Sequence, residues 1–197
     1  MAPASHLGHA IAVVEILTGM FLTATITGLI FARFARPRDS LIFSNVVIVA
    51  QIGRRRVAMV RLIGTRARPL ADVVASMAVL ETVRLPTGRE YRRNVDLPLL
   101  NQRNATMVLS WSLVHVIDDA SPLKALIDLH DDPLRLTVTV RGLDTLLSAA
   151  TFGSHVYARG DVRHDEEFVD IFDNRDDGSV HVDLTKLHDT EPAKRVE

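Results

Sequence analysis

The 197-residue chain carries 23 Lys and Arg against 24 Asp and Glu, eight histidines and no cysteine. Without cysteine there are no disulfides, no Cys-based zinc sites and no thiol catalysis. The balanced charge is unevenly placed: from Arg33 to Arg103 fourteen arginines face five acids, and from Asn104 to Glu197 nine basic residues face eighteen acids. A basic half suits an anionic lipid surface and an acidic half suits cations. The basic half has one tyrosine and no base-reading motif, which argues against a nucleic-acid partner.

Leu7 to Ala32 is one apolar run in which only Glu15 is ionised, and it ends on Arg33, Arg36, Pro37 and Arg38. At about 1.5 Å per helical residue, Ile11 to Ala32 reaches about 33 Å, enough to cross a hydrocarbon core. A signal peptide needs a basic start, and Met1 to His9 has no Lys or Arg. A transmembrane helix is therefore expected, with the arginine cluster placing its C-terminal end in the cytoplasm at the inner membrane. Glu15 either faces a protein interior or aqueous path, or lies near the outer interface. Gly19, Thr23, Thr27 and Phe31 recur every four residues, about 40° apart around the axis, as one slowly rotating stripe. Such a stripe packs against another helix or lines a pore.

Beyond Pro37 the pattern becomes extended. Strands are expected over Leu41–Ile52, Val57–Ile63, Tyr91–Leu97, Thr106–Ile117, Leu134–Val140, Ser154–Val162, Glu167–Phe172 and Ser179–Leu184. Val73–Leu85 reads as a long strand or a helix–strand mixture. Gly53 and Pro86-Thr87-Gly88 mark turns. Ser121-Pro122 places a capping hydroxyl before proline at the first helical position, so Leu123–Leu129 is expected as a short helix. Many short strands with regular turns indicate a β-sandwich. The expected domains are residues 1–36, the membrane helix; 37–188, the sandwich; and 189–197, a polar, disordered tail.

Catalytic and metal motifs are weak. Asp173 to Gly178 resembles a calcium loop, but Arg175 stands where a ligand belongs and no glutamate closes it, so an Asp-Gly hairpin turn is the better reading. The histidines lack paired metal-ligand spacing. There is no G-x-S-x-G, phosphate-binding glycine loop or dinucleotide fingerprint, so neither an enzyme nor a cofactor is expected.

The runs Val14-Glu15-Ile16-Leu17-Thr18-Gly19-Met20 and Thr27-Gly28-Leu29-Ile30-Phe31-Ala32-Arg33-Phe34-Ala35-Arg36-Pro37 resemble the inner pore helix of prokaryotic inward-rectifier potassium channels. Phe43-Ser44, Arg61 and His115-Val116-Ile117-Asp118-Asp119-Ala120-Ser121-Pro122-Leu123 resemble that family's cytoplasmic domain. The stretch from Gly142 through His155, Tyr157, Asp161 and Val162 to Phe168-Val169-Asp170 keeps the family spacing.

The resemblance implies one transmembrane α-helix followed by a mainly β, immunoglobulin-like β-sandwich cytoplasmic domain. It implies potassium transport by a homotetramer that meets anionic phospholipids and blocking cations. Gly19 matches the hinge, Phe31 the aromatic gate, and Arg33, Arg36 and Arg38 the basic residues at lipid headgroups. Thr23 stands where strongly rectifying relatives carry an acid. With Thr27 it is expected to line the pore, Glu90 and Asp161 to form acidic rings below it, and Leu147, Ser148 and Ala149 to lie in a second constriction. There are departures. The selectivity filter Thr-x-Gly-Tyr-Gly, expected just before Met1, is absent, as are the preceding helices, so a miscalled start or truncated gene is expected. Gly153-Ser154 replaces an Ala-Arg pair, and His164 a tryptophan. A single-pass membrane protein whose sandwich senses lipid or a partner without conducting is the alternative.

Overall fold

A computed structural model describes residues 5–34, 41–65, 69–128, 134–146, 149–174 and 180–193. Contacts divide the chain into two units, Met1–Arg38 and Asp39–Glu197. The first is the helix α1 (His6–Phe34). At about 1.5 Å per residue it is about 43 Å long. It is long and apolar enough to cross a bilayer, and its apolar window is wholly unburied.

The second unit is a sandwich of two sheets around one core, each built on a long central strand. In one sheet β3 (Arg55–Gly64) pairs along one edge with β1 (Leu41–Phe43) and β2 (Val47–Ile52), and along the other with β7 (Ser110–Val116). β10 (Val162–His164) extends this sheet in parallel with β2. In the other sheet β4 (Leu70–Arg84) pairs along one edge with β5 (Glu90–Leu97) and β6 (Arg103–Met107), and along the other with β8 (Arg135–Asp144), which pairs with β9 (Ala149–Ala158). Ala58, Val60 and Leu62 of β3 meet Ala75, Met77 and Val79 of β4 in the core, with Leu123, Leu126 and Ile127 of the helix α2 (Pro122–Asp128). Gly153 lies where β9 passes close to β1: a Cβ there would stand 3.1 Å from Leu41 Cδ1 and Phe43 Cε2.

Several expectations are corrected. Of the two readings left open for Val73–Leu85, the long strand holds as far as Arg84; a bulge lies between Ala71 and Val74, with Asp72 at φ +45°. Thr106–Ile117 is not one strand: β6 pairs with β4 and β7 with β3, so the chain changes sheets at Val108 and Leu109. Ser154–Val162 ends early, because Arg159–Asp161 forms a 3-10 turn. The region expected as a disordered tail contains β14 (Thr190–Pro192), which pairs with β11 (Glu166–Phe168) through backbone hydrogen bonds that do not need apolar side chains. β12 (Phe172–Asn174) and β13 (Val180–Val182) pair as antiparallel strands around the Asp-Gly segment, whose turn lies outside the described residues.

The turn between β1 and β2 is held by polar groups. Ser44 N donates to Arg61 O at 2.7 Å, Ser44 Oγ donates to Val46 O at 2.8 Å, and the buried Tyr157 hydroxyl donates to Ser44 O at 2.8 Å. Burial, with the charge of Asp161, pushes the Tyr157 phenol well above the usual tyrosine range. Tyr157→Phe should cost about 1–3 kcal/mol by orphaning this acceptor contact. A raised folded-state value means that stability is present below about pH 10 and lost as pH rises through the folded value, because the unfolded phenol ionises first. The gap between wild type and Tyr157→Phe should therefore narrow above about pH 10. Urea unfolding at pH 8 and pH 10.5 measures both effects; a gap that widens would contradict the account.

Candidate functional site

Along α1, the residues Glu15, Gly19, Thr23, Thr27 and Phe31 are all exposed, Phe31 at 74%. The threonines satisfy themselves within the helix: Thr18, Thr23 and Thr25 donate to the carbonyls of Val14, Gly19 and Phe21 at 2.7, 2.8 and 2.8 Å. A hydroxyl closed onto its own helix enters an apolar phase without an orphaned donor, and such back-bonding favours bending. The Thr23 bond lands on Gly19 O, at the position expected to hinge. Arg33 lies in the last turn of α1, where a cation complements the negative end of the helix. Arg36 and Arg38 lie outside the described residues.

The two acids expected to ring a pore differ in setting. Glu90 begins β5 at the β4–β5 hairpin, exposed, with Oε1 3.3 Å from Arg84 Nε. Asp161 is half-buried and its Oδ2 accepts from Ala158 N at 2.8 Å, closing the 3-10 turn after β9. Its charge is thus partly engaged in backbone capping. Ala149 opens β9 opposite Asp144; Leu147 and Ser148 lie outside the described residues. Asp144 is buried, and its Oδ1 accepts from Leu146 N at 3.0 Å.

The residues with the most specific resemblance are buried supports. The His115 ring is 1% exposed, with Nδ1 2.8 Å from Pro98 O and Nε2 2.7 Å from Ser121 Oγ. A carbonyl only accepts, so Nδ1 carries a proton and donates to Pro98 O, and Nε2 shares the second bond with the Ser121 hydroxyl. This corrects the expected helix cap: the Ser121 hydroxyl is engaged by His115, and Lys124 N closes onto Ser121 O instead. Arg61, 9% exposed, donates from Nη1 to Val169 O at 2.7 Å and stacks 4.5 Å over the Phe168 ring. Burial lowers the guanidinium's hold on its proton, and the Asp170 carboxylate opposes this. His155, between Phe43 and Tyr157, has its ring 6.0 Å from the first and 4.5 Å from the second. His164 is exposed in β10, opposite Val49. No group of three or more potential metal ligands occurs among the described residues.

Residues 41–196 match the family described as the inward rectifier potassium channel C-terminal domain. The chain belongs to the inward rectifier potassium channel family. It is 27% identical over 191 residues to the inward rectifier potassium channel Kirbac3.1 of Paramagnetospirillum magnetotacticum, covering 96% of this chain and 65% of that protein. It is 27% identical over 192 residues to the ATP-sensitive inward rectifier potassium channel 14 of Rattus norvegicus, covering 92% of this chain and 44% of the relative. The human channel 14 matches at the same identity over 43% of its length. The chain thus spans less than two thirds of each of these relatives. They are ion channels, not enzymes, and the inward rectifier assignment accounts for a β-sandwich following one membrane-length helix.

Asp161 and Glu90 are alike in sequence; the capping role of Asp161 depends on the backbone turn at Arg159–Asp161, which no periodicity reveals. Asp161→Ala should destabilise the domain by about 0.5–2 kcal/mol through loss of a cap. Glu90→Ala should change stability by less than about 0.5 kcal/mol, because an exposed ion pair contributes little. Thermal unfolding of both variants checks this; equal losses would contradict the distinction.

Proposed function

We propose that this chain supplies the inner helix and cytoplasmic domain of a homotetrameric inward-rectifier-type potassium channel subunit, anchored in the inner membrane with its sandwich in the cytoplasm. Four copies of α1 surround the ion path, with Thr23 and Thr27 facing water, Gly19 permitting the helix to bend, and four Phe31 rings closing the crossing by dewetting. Glu15 faces a protein interior or the aqueous path. Glu90 and Asp161 concentrate potassium and blocking cations along the cytoplasmic path, since a ring of four carboxylates makes a strong local potential where one exposed carboxylate does not. Leu147, Ser148 and Ala149 form a second constriction at its entrance. Arg33, Arg36 and Arg38 hold anionic phospholipid headgroups.

The observation that carries this reading is the pairing of a family-matched domain over residues 41–196 with one wholly unburied, membrane-length helix bearing the polar and aromatic stripe.

The test joins residues 1–197 to the pore segment of the Paramagnetospirillum relative. Cysteines replacing Thr23, Thr27 and Phe31 should react with a water-borne thiol reagent from the cytoplasmic side when the gate is open, and Phe31→Ala should raise open probability. Protection of all three positions in the open state would sink the pore reading. Separately, Arg33, Arg36 and Arg38 changed together to glutamate should weaken binding to anionic vesicles by about 1 kcal/mol per charge. Unchanged salt-dependent binding would contradict the lipid role.

A further inference from the structure

The β4–β5 hairpin and the loop between β7 and α2 enclose a groove of about 520 Å³. That volume falls within the roughly 300–1,000 Å³ of small-molecule sites. Val95, Leu99, Leu100 and Pro122 give it apolar walls, with Leu100 63% exposed. Its charged groups do not balance. Glu81 and Arg93 pair across the hairpin at 2.9 Å and cancel. The Asp96 carboxylate is exposed and has no partner among the described residues. Asp118 accepts from Ala120 N at 3.0 Å through Oδ1, which leaves Oδ2 open. The groove therefore keeps two negative charges beside apolar walls. His115 also lines it but offers no open ring nitrogen, because Pro98 O and Ser121 Oγ engage both.

We infer that this groove binds a small organic ammonium ion with a compact apolar body. The ammonium donates to Asp96 and Asp118 in charge-assisted hydrogen bonds, and the body covers Leu99, Leu100 and Pro122. Other ligand classes fit less well. An anion is repelled, and a neutral apolar molecule strips water from the carboxylates without replacing it. A metal ion leaves the apolar walls wet, and no group of three or more potential metal ligands occurs among the described residues. The site also has a mechanical consequence. β4 pairs with β8 only as far as Val79 but with β5 as far as Arg84, so the outer hairpin is a two-stranded ribbon. Such a ribbon is marginal alone, and an ammonium shared between Asp96 on β5 and Asp118 after β7 braces it.

Two paramagnetic probes that share one ring test this: amino-TEMPO, an ammonium at pH 7, and the uncharged hydroxy-TEMPO. The full chain, labelled with nitrogen-15 at leucine and valine, is held in lipid nanodiscs, and broadening of its amide signals is read at low probe concentration. The amides of Leu99, Leu100 and Val116 should broaden about tenfold more with the amine, the ratio that one charge-assisted hydrogen bond supplies. Val169 lies among Glu166, Glu167 and Asp170 and should show no such preference. Asp96→Asn with Asp118→Asn keeps the acceptor for Ala120 N and should remove the preference at the groove. Equal broadening by both probes, or none, would overturn the proposal. So would the same preference at Val169, which would mean attraction to general acidity, or a preference that survives in the double variant.

Discussion

Taking the Arg61 guanidinium out of water removes its hydration, and three groups replace it: the Val169 carbonyl at 2.7 Å, the Phe168 ring at 4.5 Å and the charge of Asp170. A charge buried in this way holds its partners firmly, because removing them would leave it unpaired. The consequence is that β3 is covered on both faces. Ala58, Val60 and Leu62 enter the main core, whereas Arg61 and Ile63 point the other way. Ile63 meets Ile171 and Leu187 there, so the segment from β11 to β14 is strapped over the sheet by one charge and one small apolar cluster. His188 adds to this, accepting from Asn45 N at 3.2 Å beside the β1–β2 turn.

The same turn joins the two sheets. Ser44 binds Arg61 on β3 through its backbone N–H and Tyr157 on β9 through its carbonyl. Gly153, two pairs of residues back along β9, leaves the space that Leu41 and Phe43 fill. The residues most diagnostic of the inward rectifier family are therefore mainly scaffolding: His115 with Ser121, and Ser44 with Arg61 and Tyr157, fix strands whose loops and ends hold the proposed pore acids. Specificity of a motif and proximity to chemistry are separate properties, and here the buried polar contacts supply the first.

Much of the fold was legible because its strands have short periods and marked turns. Gly53 and Gly88 take positive φ at the expected turns, and β5 begins one residue before the expected start. Val73–Leu85 was ambiguous for a physical reason. Apolar Val74, Ala78 and Leu80 alternate with the buried Val73, Ala75, Met77 and Val79, which masks the period of two. The change of sheet between β6 and β7 was hidden because Val108 and Leu109 are apolar and carry no turn signal. β14 was hidden for the opposite reason: Thr190, Glu191 and Pro192 pair through the backbone, which side-chain periodicity does not register. Among the site residues, the helical stripe was legible from a four-residue spacing alone, whereas the engagement of Asp161 and Ser121 depends on contacts fixed only by the folded chain.

The dependence of the strap on the second face of β3 is tested most directly by native-state hydrogen exchange of Arg61→Leu in the full chain. The amides of Val169, Asp183 and Ala193, which hydrogen-bond within and around the strap, should exchange about tenfold faster or more as that segment opens by itself. The amides of Val79 and Val138 in the β4–β8 pair should keep their protection. Equal acceleration at all five amides, or none at the strap, would contradict the account.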